Sequence, residues 1–157
     1  MKKFLAVCLV FISSFAFAES ANFTGNYPTS ACSFTGSQDG VMGINPQLPL
    51  VWSTSATGGQ AAVLNLAYIG DPTVSIDAVS GFTSTPGSIP SGTTYETKAW
   101  MNSNGAINSG NWFQTGNKTK QLSNAFYTDI LYVDFATNFG SAPASGNYTA
   151  STTVTCM

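Results

Sequence analysis

The sequence predicts an all-β fold, and three observations carry that prediction. Past the first residues, no window keeps an apolar period of 3.6 residues for three turns. Several windows alternate apolar and polar residues with a period of two. Clusters of Gly, Pro, Asn and Ser punctuate them at strand-length intervals. About seven strands at this spacing favour a two-sheet sandwich over a closed barrel.

Taken in order, Lys2 and Lys3 precede the apolar run "FLAVCLVFISSFAFA", which closes on small residues at Ala16 and Ala18. That pattern is a secretory signal peptide over residues 1–18. The run falls short of the roughly 20 apolar residues of a spanning helix, and no comparable run follows it, so no membrane insertion of the mature chain is expected. Residues 19–31 form an N-terminal extension, and residues 32–157 a single β domain. Within the extension, Ala21, Phe23, Gly25 and Tyr27 alternate with Asn22, Thr24 and Asn26, a pattern suited to burial of one face of a strand.

In "ACSFTG", Cys32 and Phe34 share a face. "AAVLNLAYI" (61–69) and "DILYVDFA" (129–136) are apolar on both faces and read as central strands. "TVSIDAV" places Val74, Ile76 and Ala78 together, and "TYETKAWM" places Tyr95, Thr97, Ala99 and Met101 opposite a wet face of Glu96, Lys98 and a partly covered Trp100. Residues 102–128 hold a short hairpin around "NGAI", with Trp112, Phe113, Phe126 and Tyr127 packing onto the core. The closing segment "GNYTASTTVTCM" alternates throughout, with Tyr148, Ala150, Thr152, Val154 and Cys156 on one side. The connections "GDPT", "TSTPGSIPSGT" and "SNGAINSGN" carry the turn-forming residues expected between strands.

Composition excludes several functions. Without the signal peptide, Lys98, Lys118 and Lys120 face seven acidic residues, and the chain has no histidine. No nucleic acid partner is expected, because such a surface cannot displace counterions from phosphates. Imidazole-based nucleophilic catalysis has no base, and zinc sites lose their usual ligands. Asp71, Asp77, Asp129 and Asp134 are not spaced as a calcium loop, so no metal and no cofactor are expected, nor an enzyme. Aromatic content of 13% and a small net charge oppose disorder. Cys8 leaves with the signal peptide, so Cys32 and Cys156 remain and are expected to pair in an exported protein. Closing so long a loop contributes up to roughly 5 kcal/mol on the chain-entropy account.

The stretch "ANFTGNYPTSAC" resembles the N-terminal extension of pilin subunits of chaperone-usher fimbriae, particularly the archaic branch that shares its domain with spore coat protein U. "ACSFTGSQDGVMGI" is similar to that family's Cys-to-Gly opening, and "SGNYTASTTVT" to its closing strand. The resemblance implies an immunoglobulin-like sandwich lacking its last strand, whose groove is completed by a donor strand from the next subunit. The pocket-facing donor positions would be Ala21, Phe23, Gly25 and Tyr27. It implies neighbouring subunits, a periplasmic chaperone and an outer-membrane usher as partners, passage through the periplasm, and a role in adhesion or biofilm at the cell surface. The sequence departs from the family in its cysteines: the usual partner in the strand around "VLNLAYI" is missing, and Cys156 stands in its place.

Two alternatives stay open at this point. The extension could complete its own sandwich, with no fibre formed. A self-contained secreted sandwich could instead bind glycan through an aromatic platform of Trp52, Trp100 and Trp112.

Overall fold

A computed structural model describes residues 30–107, 113–123 and 126–157, apart from the side chains of residues 126 and 127. Residues 1–18, read as a signal peptide, the expected donor positions Ala21, Phe23, Gly25 and Tyr27, and Trp112 lie outside the described residues, as do the side chains of Phe126 and Tyr127. The described residues contain strands and turns but no α-helix, and all strand pairings are antiparallel.

The strands are β1 (Ala31–Gln38), β2 (Gly43–Asn45), β3 (Leu48–Ser53), β4 (Ala62–Ile69), β5 (Thr73–Ile76), β6 (Phe82–Ser84), β7 (Thr94–Met101), β8 (Gly105–Ala106), β9 (Lys118–Gln121), β10 (Phe126–Asn138), β11 (Thr149–Ala150) and β12 (Val154–Cys156). β10 is the spine of the larger sheet. Its first half pairs with β4, its last residues pair with β3 along the same edge, and β7 covers its other edge. β1 lies outside β4, β2 outside β3, and β8 outside β7. A second sheet runs β12, β5, β9, and a small ribbon joins β11 to β6.

The two segments read as central are central. Each has hydrogen-bonded neighbours on both edges; β4 buries Leu66 and Tyr68 on its inner face, while Val63, Ala67 and Ile69 on the other face are half-buried and Asn65 is exposed. On the inner face, Leu66 and Tyr68 of β4, Met101 of β7 and Leu131 of β10 meet Val74 and Ile76 of β5 in one core. A second, aromatic cluster sits under the β6–β11 ribbon. Phe82 stacks on Phe139 at 5.8 Å, while Trp52 meets Phe139 edge-on at 4.9 Å and Tyr148 at 5.2 Å. Such pairs add about 0.5–1.5 kcal/mol each beyond their burial.

Four sequence expectations are corrected. About seven strands become twelve among the described residues, because several are pieces of two or three residues. The closing strand is not continuous: it pairs with β6 at Thr149 and Ala150, leaves that ribbon, and pairs with β5 from Val154. Its side-chain alternation nevertheless persists throughout, since the period of two belongs to the extended backbone and not to the partner. The outer face of β7 is half-buried rather than wet, with Trp100 stacked on Tyr132 at 4.1 Å and Lys98 paired to Asp134 at 3.2 Å. Ala78 falls beyond β5 and is exposed. The hairpin around "NGAI" is present as the β7–β8 turn, where Gly105 takes the left-handed conformation (φ 69°) that a side chain disfavours.

Candidate functional site

The two sheets share a core yet meet differently along their two flanks. On the β7–β9 flank, Thr97 and Gln114 exchange both backbone hydrogen bonds at 2.9 Å. Lys118, only 4% exposed, donates its ammonium protons to Thr97 Oγ1 (2.6 Å) and to the carbonyls of Gln114 (3.1 Å) and Gly116 (2.9 Å). Three acceptors match the three donors of an ammonium, so the charge is buried with its hydrogen bonds complete. Burial lowers the Lys118 pKa below the ordinary lysine value, and the nearby charge of Glu96 opposes that shift. Lys120 of β9 in turn donates to the carbonyls of Asn104 and Ala106 beside and within β8. Lysines stitch this flank shut.

The opposite flank is open. β1 pairs with β4 alone and β12 with β5 alone, so each presents an unpaired edge. Between them lies a cleft of about 580 Å³. Its floor is Ala62, Leu64, Val133 and Phe135, one wall is residues 37–40, and the other is residues 148–152 with Val154.

Strand register explains why core residues reach this surface. Cys32 lies opposite Tyr68 and Phe34 opposite Leu66, so all four point inward. A β-bulge at Thr35 then shifts the register and brings Ser37 opposite Leu64 on the same face. Leu66 is 1% exposed, but the inward-facing Phe34 is 38% exposed. Across the cleft, Tyr148, Ala150, Thr152 and Val154 are half-buried while their alternate neighbours are exposed. The half-buried apolar side chains packed against the core are Cys32, Ala62, Leu64, Val154 and Cys156, and all five belong to this flank. Here the core runs out before the sheets close over it.

The expected Cys32–Cys156 disulfide is present and is the covalent tie across the open flank, with Cα atoms 5.8 Å apart. Oxidising compartments sustain such bridges. The cleft offers apolar surface and strand edges rather than reactive groups. Thr97 Oγ1 accepts from Lys118, and Thr54 Oγ1 donates to Asp134 (2.6 Å) and accepts from the Phe135 amide (3.0 Å). Asp39 is the one charged residue among those lining the cleft. Among the described residues, no group of three His, Cys, Asp or Glu side chains could hold a metal ion.

Trp52 and Trp100 are not brought together. Trp52 pairs with Thr137 and Trp100 with Tyr132, positions of opposite parity on β10, so the two indoles lie on opposite faces of the sheet. Trp52 belongs to the aromatic cluster, and its Nε1 donates to the Pro49 carbonyl (3.2 Å). A smaller hollow of about 380 Å³ lies beside Asn102 and Ser103, but its carboxylate, Asp129, already accepts from the amides of Ser103 and Ile130 and from Asn104 Nδ2.

Sequence reasoning places Leu64, Val133 and Val154 in the core and does not single them out as a site. No local pattern reports which part of a core lacks a neighbouring strand. Lys118 gives no signal either, since a lysine in a polar loop reads as solvated. No family model matches this chain, and neither a curated protein nor a solved structure matches it. The pilin resemblance therefore rests on the residues quoted for it.

Proposed function

We propose that this chain is a structural subunit of a secreted surface fibre, in which residues 21–27 of one copy enter the cleft of another as an added strand. The observation that carries the reading is the apolar cleft between two unpaired strand edges, with inward-facing side chains left half-covered. The six residues of β1 beyond Cys32, Ser33–Gln38, span about 20 Å, and the seven alternating residues of the extension span about 23 Å, so lengths agree to about one residue. An inserted strand would satisfy both edges with backbone hydrogen bonds, each worth about 1 kcal/mol net. Phe23 and Tyr27 would cover the floor, and burying each contributes about 1.5–3 kcal/mol. Gly25 would pass where the floor stands high.

On this reading the domain is an incomplete immunoglobulin-like sandwich of the pilin kind, and the contact is heterologous, so copies add head to tail without closing. An isolated subunit carries an aggregation-prone edge, which calls for a periplasmic chaperone before release at an outer-membrane usher. The function is structural rather than catalytic, in adhesion or biofilm. Removal of residues 19–27 tests it. The mature chain should form multimers that resist SDS without heating, and the shortened chain should stay folded and monomeric. Equal multimers from both chains would overturn the reading.

A further inference from the structure

The disulfide lies at one end of the cleft, and its position constrains anything that enters. β1 starts at the bridge and runs away from it, while residues 148–156 run toward it, so the two walls are tied at Cys32–Cys156 and the cleft opens further along, between residues 37–40 and 148–152. Neighbouring strands in a sheet lie about 4.8 Å apart, so two edges with a strand between them stand about 9.6 Å apart. The Cα atoms of Cys32 and Cys156 are 5.8 Å apart. No strand fits between them at that level.

We infer that the Cys32–Cys156 bridge is a register stop for the inserted strand: it shuts the cleft at that end and confines the insertion to residues 33–40 on one wall and 148–154 on the other. The inference rests on the strand-insertion reading above and adds to it what fixes the position of the strand. A stop is needed because the bond pattern of a strand ladder repeats along the edge, and register in a ladder is held only by side chains and ends. The incoming segment supplies weak side-chain discrimination. Its pocket positions are Ala21, Phe23, Gly25 and Tyr27, and a two-residue slip would exchange Phe23 for a glycine or an alanine while turning inward, at one end only, Glu19 or Thr29. A covalent wall removes that slip in one direction. It also holds the two edges in fixed relation before anything binds, so the entering strand orders less of the protein.

The test uses the full mature chain and a synthetic peptide of residues 19–30, with hydrogen exchange read amide by amide before and after uptake. In the oxidised protein, new protection should cover residues 33–40 and 148–154 and stop short of Cys32 and Cys156. In the Cys32→Ser, Cys156→Ser double variant, protection should spread past both positions, and the peptide should leave at least tenfold faster. Protection that crosses the bridge in the oxidised protein overturns the stop, whether or not the double variant folds. Uptake with the same footprint and release rate in both proteins overturns it as well, while leaving strand insertion standing. A protein that takes up no peptide and forms no multimers in either state overturns strand insertion itself, and the stop with it.

Discussion

The β7–β9 flank and the β1–β12 flank enclose the same core, and they differ in what joins the sheets. The first is sewn by two lysines, a backbone bridge and a short hairpin. The second has a single covalent tie and a cleft. A fold with few charges spends two of the three lysines beyond residue 18 on the closed flank, and leaves the open one lined by Leu64, Val133, Phe135 and Val154. Closure of two β sheets over one core is thus a local matter, settled flank by flank. An unfinished flank is where a partner can add structure.

The contrast can be broken at its strongest point first. Reducing the bridge or making Cys156→Ser removes the tie of the open flank, and the chain-entropy account gives a loss of about 4–5 kcal/mol, read as a lower denaturant midpoint. If the closed flank alone sustains the fold, the variant still unfolds cooperatively. Next comes a pair of truncations on one strand. Leu66→Ala in the shared core should cost about 3–5 kcal/mol, whereas Leu64→Ala on the cleft floor should cost about half as much in the monomer, because that side chain is only half-buried. Equal losses would mean that the floor is as well covered as the core. In multimers the two losses should converge.

Much of this was legible in advance, and for reasons that particular residues show. β4 and β10 announce themselves by apolar residues at consecutive positions, and β7 because Thr97, Ala99 and Met101 alternate with Glu96 and Lys98. The Cys32–Cys156 bridge is expected because these two cysteines remain once residues 1–18 are read as a signal peptide. What the sequence withholds is partnership. The alternation from Tyr148 to Cys156 is intact although the segment changes sheets midway, and Trp52, Phe82, Phe139 and Tyr148 meet from four distant segments that no local period links. The cleft stayed hidden for the same reason, since an absent neighbour leaves no mark on Leu64 or Val133. The donor positions are legible as a pattern, and they lie outside the described residues.

A smaller effect tests the closed flank. Lys118→Met strands the Thr97 hydroxyl and two carbonyls, and should cost about 1–3 kcal/mol in thermal or denaturant unfolding. The smallest is its pH dependence. Because burial lowers the folded-state pKa of Lys118 below 10.5, the unfolded chain holds this proton at pH values where the folded chain has released it. Stability contributed by this group therefore rises with pH in the window just below 10.5. The Tyr95 hydroxyl acts oppositely above 10.0, since burial raises its folded-state pKa and the unfolded state ionises first. Comparing wild type with Lys118→Met across that window isolates the lysine, and the wild-type slope should exceed that of the variant.

The most direct measurement is amide hydrogen exchange on the mature chain at concentrations where it is monomeric and where it is multimeric. A cleft completed by another copy predicts that the unpaired edge of residues 33–40 and the opposing wall at 148–154 exchange fast in the monomer and slowly in the multimer, while β7 and β9 exchange alike in both. Slow exchange at both walls in the dilute monomer would mean that the chain closes its own flank, and the fibre account would be wrong.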